Sequence, residues 1–210
     1  MKFLLENWQK YLNEQEKPFP YQIYCDMDGV LVDLVGGLKK KIISLKLSTD
    51  IEDQALEVLD SKETWQDLQQ DPKFSAGANA IFDILDNPNE NEREQFWTNL
   101  PPKEDMTELW SYIEKHNPII LSAPWRINGK VDLACEGGKK KWININGLNP
   151  KKVIITHDKE TYSAPNHILI DDMDLYLKPW SGKDKEAIAI KHTSASTTIG
   201  VLRALLKKDN

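Results

Sequence analysis

The sequence predicts an α/β protein in which a parallel sheet lies between two layers of helices, with a small helical cap inserted after the first strand. Five short apolar runs alternate with stretches of helical periodicity, a pattern typical of parallel sheets. No strand signal occurs between about residues 48 and 100. Acidic, hydroxyl and basic side chains follow several of the strands, at the sheet edge where open α/β folds bind ligands.

The first strand is predicted over residues 21–25 and is followed by Asp26, Asp28 and Gly29. Because Asp26 and Asp28 are two residues apart, extended geometry would point both carboxylates to one side. Gly29 allows a sharp turn out of the strand. One carboxylate could attack an electrophile or bind a metal while the other moves a proton. The alternative is an acidic turn without a function.

The other elements follow from the same patterns. Residues 1–17 predict a helix on the outside of the domain, and residues 30–47 predict a helix directly after the first strand. The cap is predicted to contain helices over residues 51–59, 62–70, 76–85 and 90–97. Later helices are predicted over residues 106–116, 136–146 and 197–206, and later strands over residues 118–124, 153–156, 167–170 and 187–190. Residues 1–47 and 101–210 therefore form the predicted α/β core, and residues 48–100 the predicted cap.

The predicted cap is rich in aromatic residues, which could provide a platform for a planar group of a ligand. Most aromatic residues at helical spacing belong to a core, so we expect only one or two of them to contact a ligand. Trp65 and Phe96 are the candidates, together with Leu34 at the start of the first core helix. The other aromatic residues of this segment are Phe74, Phe82 and Trp97.

Composition and charge narrow the class of protein. The chain has 210 residues, 40% hydrophobic and 29% charged, which is ordinary for a soluble globular protein. Its net charge of −6 argues against duplex nucleic-acid binding, which needs a basic surface. No apolar run approaches the roughly 20 residues that cross a membrane, and the first residues lack the apolar length of a signal peptide. We expect a cytoplasmic protein in which both cysteines are reduced and no zinc is bound. The protein could form a homodimer.

Polar residues at the ends of the later strands complete a candidate site. Ser122 ends the second strand without a Gly-x-Ser-x-Gly elbow, so we interpret it as a hydrogen-bond donor to an anion or as a strand-end serine without a function. Lys159 follows the third strand, and Asp171 and Asp172 follow the fourth. Lys139, on a predicted helix, is a second candidate for contact with an anion.

In type and order these residues resemble the four motifs of the haloacid dehalogenase (HAD) superfamily of phosphotransferases. The first motif is similar to Asp26-Met27-Asp28-Gly29-Val30, and the second to Leu121-Ser122. The basic third motif resembles Lys159, and the acidic fourth resembles Ile170-Asp171-Asp172. The resemblance implies a Rossmann-like, three-layer HAD core with the cap inserted after its first strand.

A narrower resemblance, over residues from about 21 to 175, is to the 5′(3′)-deoxyribonucleotidases. It includes the first motif extended to Asp33 and Gly36-Gly37, and the run Ser122-Ala123-Pro124. Four later segments also contribute: Lys139-Lys140-Lys141-Trp142, Thr156-His157-Asp158-Lys159, Ser163-Ala164 and Leu169-Ile170-Asp171-Asp172. That family usually has an aromatic residue, a second hydroxyl and an arginine where this chain has Leu34, Ala123 and His157.

The resemblance implies a Mg²⁺-dependent phosphomonoesterase that hydrolyses nucleoside monophosphates. Asp26 would attack phosphorus to form an aspartyl-phosphate, while Asp28 would protonate the leaving group and then activate water. The metal would be held by Asp26, the backbone carbonyl of Asp28 and Asp172, with Asp171 orienting the site.

In the same reading, Ser122 and Lys159 would neutralise the oxygens of the transferred phosphoryl group, with Lys139 as a second contact. Two alternatives remain open. The substrate could be another phosphoester, such as a 3′-phosphorylated nucleic-acid end or a small sugar phosphate. The chain could also be a non-catalytic binding protein that retains the fold.

Overall fold

A computed structural model describes residues 20–61, 65–183 and 186–208. The helix expected over residues 1–17 lies outside the described residues. Within the described part of the chain, no helix has both the length and the apolar character needed to cross a membrane.

The centre of the molecule is a parallel sheet of five strands. These are β1 (Gln22–Cys25), β2 (Ile119–Ser122), β5 (Lys152–Ile155), β6 (His167–Asp171) and β7 (Ile188–Lys191). Their order across the sheet is β5-β2-β1-β6-β7, and every neighbouring pair is parallel. Two further strands, β3 (Arg126–Ile127) and β4 (Lys130–Val131), form a separate antiparallel hairpin.

Nine α-helices surround the sheet in the described part of the chain. The first six are α1 (Leu34–Ser44), α2 (Thr49–Asp60), α3 (Trp65–Gln70), α4 (Ser75–Leu85), α5 (Glu90–Thr98) and α6 (Met106–Ile113). The last three are α7 (Leu133–Ile145), α8 (Asp174–Lys183) and α9 (Ala195–Lys208). Two short 3₁₀ helices span Glu114–His116 and Lys159–Tyr162.

Both faces of the sheet are buried, because successive side chains of a strand point to opposite faces. Ile23 and Cys25 join a core that includes residues of α1, α6, α7 and α9. Tyr24 joins a second core, in which Trp180 of α8 is completely buried. The predicted three-layer α/β architecture is confirmed.

Helices α2 to α5 lie in the chain between β1 and β2, as predicted. The last of them, α5, approaches α7 so closely that a Cβ atom at Gly138 would lie 2.5 Å from the Cβ atom of Trp97. Arg93 of α5 also forms an ion pair with Asp132, which caps the first turn of α7. Helix α5 therefore packs on a helix of the core, and the boundary of a separate cap at residue 100 stays a prediction.

The first core helix begins four residues later than predicted. The carbonyl of Met27 accepts hydrogen bonds from the amides of Leu31 (2.7 Å) and Val32 (2.8 Å), which closes a tight loop after β1. The helix starts only at Leu34, because the side chain of Asp33 accepts a hydrogen bond from the amide of Gly36 and caps it. The loop, rather than the predicted helix, therefore contains residues 30–33.

Three elements were not predicted: the hairpin β3–β4, the 3₁₀ helix Lys159–Tyr162 and helix α8. The hairpin β3–β4 replaces an expected loop, and it turns at Asn128 and Gly129, which both have positive φ. An Asn-Gly pair is the commonest sequence signal for such a turn, so this signal was present. The sequence of helix α8 has no clear helical periodicity, because it contains Pro179 and because the apolar Leu175 is exposed.

Candidate active site

The sheet order brings the predicted strand-end residues to one edge. Strand β1 lies between β2 and β6, so Asp26, which follows β1, is flanked by Ser122 at the end of β2 and by Asp171 at the end of β6. The amide of Asp26 donates a hydrogen bond to the carbonyl of Ile170 (2.9 Å), which continues the sheet to this point. The side chains of all three residues are buried.

Three carboxylates form a compact group that fits a divalent cation. One oxygen each from Asp26, Asp171 and Asp172 lies within 4.8 Å of the others. The Oδ1 atom of Asp172 is buried and has no hydrogen-bond partner among the described residues. Buried, unsatisfied carboxylate oxygens are the hard ligands that Mg²⁺ prefers. The expected contribution of the Asp28 backbone carbonyl stays a prediction.

The electrostatics of this group favour a cation as well. Burial, and then the charge of Asp26, raises the pKa of Asp171 to about 6. Burial and the charges of Asp26 and Asp171 raise the pKa of Asp172 to about 7. Without a cation, therefore, the group holds protons that ordinary aspartates release well below neutral pH.

Lys159 provides a positive charge inside the cluster. It lies in the 3₁₀ helix after β5 and is completely buried, with Nζ 2.8 Å from Asp26 Oδ1 and 2.7 Å from Asp171 Oδ2. Burial alone would lower the pKa of Lys159, but the two carboxylates outweigh it and raise the pKa. The ring of Tyr176 lies beneath the ammonium group, 4.2 Å from Nζ to the ring centroid. Lys159 is therefore held as a charged group next to Asp26.

Lys139 forms a second polar cluster with the other predicted acid. Its Nζ donates to Asp28 Oδ2 (2.6 Å), to Ser122 Oγ (2.9 Å) and to the carbonyl of Ala123 (2.6 Å). Trp97 covers it, with Nζ 5.5 Å from the ring centroid. Although α7 is remote from Ser122 in sequence, it brings Lys139 to the centre of the site.

Asp28 is more exposed than Asp26, the other acid of the first motif. Its side chain is 26% exposed, whereas that of Asp26 is 7% exposed. Burial raises the pKa of Asp28, and the charge of Lys139 opposes this effect. Asp28 is thus an acid with a raised pKa at the open side of the cluster.

Gly29 makes room for the fourth acid. It has a φ of +75°, and a Cβ atom there would lie only 2.1 Å from Asp172 Oδ2. Gly29 was expected to turn the chain. It also leaves space for the side chain of Asp172, because any side chain at position 29 would displace that carboxylate.

Among the predicted substrate-binding residues of the cap region and of the first core helix, Phe96 lines a groove that does not include the acids. Leu34 is half-buried and packs against the core. Phe96 lines a groove of about 460 Å³ between α1 and α5, and none of the acids described above lines that groove. The side chain of Trp65 lies outside the described part of the structure. Trp97 is 2% exposed and supports Lys139, so it offers no open face for a planar group.

A pocket that sequence reasoning missed is lined by the residues that follow Ser122 and Ala123. Its volume is about 420 Å³. It is lined by Gln69, Phe82, Asp86, Pro124, Trp125, Arg126 and His157. The residues that directly follow the Ser122-Ala123 pair are Pro124, Trp125 and Arg126. Their position beside the strand-end serine was the feature of the sequence that could have identified them as lining a pocket near the site.

Comparisons with known proteins identify the fold. No protein-family model matches the chain, and no curated protein sequence matches it. A candidate HAD-hydrolase from Bacillus subtilis, YfnB, solved bound to magnesium, is 12% identical with a TM-score of 0.54, over 89% of this chain and 100% of that one. A hydrolase from Streptococcus pneumoniae is 14% identical with a TM-score of 0.52, over 88% and 99%.

A third structure agrees with the first two. It is a HAD-superfamily hydrolase of subfamily IA from Geobacter sulfurreducens, 10% identical with a TM-score of 0.52, over 89% of this chain and 99% of that one. The chain has the HAD-hydrolase fold. The match confirms the predicted fold, and the narrower resemblance to the deoxyribonucleotidases stays a prediction.

Proposed function

We propose that this HAD-fold protein is a Mg²⁺-dependent phosphomonoesterase that works through an aspartyl-phosphate, with a nucleoside monophosphate as its substrate. One observation carries the proposal. Asp26 is paired with Lys159 and lies beside two further carboxylates, those of Asp171 and Asp172, while Asp28 is paired with Lys139. A nucleophile, a proton donor and positive charges are thus held at one edge of the sheet.

In the proposed first step, an oxygen of Asp26 attacks phosphorus, and the bond from phosphorus to the leaving oxygen breaks. Asp28 gives its proton to that oxygen, so the product leaves as a neutral alcohol. In the second step, Asp28 takes a proton from water as the water attacks phosphorus, which releases phosphate and restores Asp26. Two displacements replace one difficult direct hydrolysis.

The positive groups stabilise the charge on the transferred phosphoryl group. Lys159 is already oriented by Asp26 and Asp171, and Lys139 orients Ser122 and Asp28. Donors fixed before the reaction need little reorganisation during it. Bound Mg²⁺, held by Asp26 and Asp172 with Asp171 beside them, would neutralise the phosphoryl oxygens. The similar fold of magnesium-bound YfnB supports this assignment.

The role of Asp28 favours a phosphoester over an organic halide. A halide departs as a stable anion and needs no proton, whereas an alkoxide does. Asp28 has a raised pKa and is partly exposed, as suits a group that protonates a leaving oxygen. A nucleotide as the substrate rests on the resemblance to deoxyribonucleotidases.

The Asp26→Asn variant tests the nucleophile. With Mg²⁺, its turnover of deoxynucleoside monophosphates should fall at least about 1,000-fold, because the amide cannot form the phosphoenzyme. Asp174→Asn is the control, since Asp174 is exposed and pairs with Lys191 at the surface. Thermal unfolding checks that both variants fold. A folded Asp26→Asn protein with full activity would refute the mechanism, as would a beryllofluoride adduct on another residue.

A further inference from the structure

The pocket lined by Trp125 lies between the inserted helices and the core. Gln69 of α3 and Phe82 of α4 form one side, and Pro124 and Trp125 form the other. Trp125 Nε1 donates a hydrogen bond to Asp86 Oδ1 (2.7 Å), which joins the two sides and fixes the indole ring. The ring of Phe82 lies 6.1 Å from that of Trp125, centroid to centroid, at 36°. The two rings make an aromatic wall.

This pocket adjoins the acids and lysines of the candidate active site. Pro124 follows Ala123, whose carbonyl is held by Lys139 next to Asp28. On the opposite side, His157 Nδ1 lies 3.5 Å from the hydroxyl of Tyr176, whose ring supports Lys159. A group that leaves phosphorus on the side of Asp28 would therefore leave next to this pocket.

The polar lining adds a charge to the aromatic wall. Arg126 is exposed, and it forms no ion pair with any of the described residues. A guanidinium group of this kind binds a phosphate or carboxylate in two-pronged geometry. Asp86 also lines the pocket, but its Oδ1 accepts the indole proton of Trp125. The lining thus offers one aromatic wall and one guanidinium group without an ion-pair partner among the described residues.

We propose that this pocket binds the leaving group of the substrate, that Trp125 stacks on a planar heterocycle there, and that Arg126 binds a second anionic group on it. The inference rests on the proposed phosphomonoesterase activity and narrows its substrate class. A nucleotide that carries a second phosphate, such as a nucleoside 3′,5′-bisphosphate, has both features. Trp125 and Arg126 are then specificity-determining residues, and the groove lined by Phe96 is not part of the substrate site.

The test compares kcat/KM, with Mg²⁺, for a deoxynucleoside 5′-monophosphate, a nucleoside 3′,5′-bisphosphate and glycerol phosphate, which has no ring. Trp125→Ala should lose about 5- to 150-fold on both nucleotides, the equivalent of about 1–3 kcal/mol of stacking, and little on glycerol phosphate. Trp125→Phe should recover most of the loss, although it lacks the hydrogen bond to Asp86. Arg126→Ala should lose activity on the bisphosphate alone. Phe96→Ala is the matched control, and it should leave the ratios of kcat/KM between the three substrates unchanged.

Two results separate this inference from the proposed function. If the unaltered protein hydrolyses none of the three esters, the phosphomonoesterase proposal fails. Binding then tests the pocket independently: calorimetry on the Asp26→Asn protein should show nucleotide affinity that falls 5-fold or more with Trp125→Ala, while affinity for inorganic phosphate does not change. Equal losses on all substrates, or nucleotide binding that Trp125→Ala leaves unchanged, would overturn the inference.

Discussion

At the scale of single residues, Gly29 provides a sharp test of the metal group. Replacement by alanine would place a Cβ atom against Asp172 Oδ2 in a backbone conformation with positive φ. The clash must displace Asp172, so Gly29→Ala should lower Mg²⁺ affinity, measured by calorimetry, by about 10- to 100-fold, as loss of ligand orientation does elsewhere.

Gly129→Ala separates the clash from backbone strain. Gly129 has nearly the same φ, +76°, but a Cβ atom there would have no neighbour within 4 Å. Both variants should lose about 1–2 kcal/mol of stability from the left-handed backbone, and only Gly29→Ala should lose metal affinity. Equal Mg²⁺ affinity in the two variants would refute the role given to Gly29.

The residues that sequence reasoning identified are those whose place is fixed by strand order. Asp26, Ser122 and Asp171 had to meet, because carboxyl ends of adjacent parallel strands share one edge. Lys139 was identified only as a second contact with the anion, since its contact with Asp28 depends on how α7 packs. Trp125 was missed because its place in the pocket depends on Phe82 of α4 and on Asp86, which directly follows that helix, and no local pattern reports those contacts.

At the scale of elements, the contact between α5 and α7 positions Lys139. Arg93 of α5 donates two hydrogen bonds to Asp132, through Nε (3.2 Å) and Nη2 (3.0 Å), and a third to the carbonyl of Asn87. Asp132 in turn accepts from the first amides of α7. Both side chains are largely buried, 12% and 3% exposed. The pair therefore joins the loop before α5 to the start of the helix that carries Lys139.

Arg93→Met should destabilise the protein by about 2–4 kcal/mol in chemical denaturation, because it leaves Asp132 buried without its cation. The control is Lys141→Met, which breaks an exposed ion pair with Glu94 between the same two helices. It should cost less than about 1 kcal/mol. Similar losses in both variants would mean that burial does not set the strength of these pairs.

Element types were easier to predict than their ends. Apolar periodicity identified the five sheet strands and the four inserted helices, whereas the start of α1 depended on one capping side chain, Asp33. The close packing of α5 on α7 had a weak local signal, since Gly137 and Gly138 permit it only if a partner helix is present. The packing of α5 on α7 was not predicted because local sequence does not encode such a tertiary contact.

At the scale of the whole molecule, the charge of the site is unbalanced although every member is well packed. Four carboxylates, those of Asp26, Asp28, Asp171 and Asp172, face two lysines, so the fully ionised cluster carries a net charge of −2. In the metal-free protein the raised pKa values relieve this charge by holding protons. Protons and a divalent cation therefore compete for the same group.

The sign of the pH dependence follows from Asp172. Its pKa is about 7 in the folded protein and about 3.9 in an unfolded chain, so the folded state holds the extra proton. The stability of the metal-free protein should therefore fall as pH rises from about 4 to about 7 and then level off. Mg²⁺ should reverse this loss at high pH and have little effect where protons occupy the group.

The measurement is the melting temperature with and without Mg²⁺ at pH 5.5 and pH 8. At pH 8, a Mg²⁺ concentration 100 times the dissociation constant should stabilise the protein by about 2.7 kcal/mol, and the effect should be much smaller at pH 5.5. Asp172→Asn should abolish the Mg²⁺ effect and raise the stability of the metal-free protein at pH 8, since one repelling charge is gone. Asp174→Asn, at an exposed acid two residues away, should behave like the unaltered protein. A Mg²⁺ effect that is the same at both pH values, or that survives in Asp172→Asn, would place the metal elsewhere.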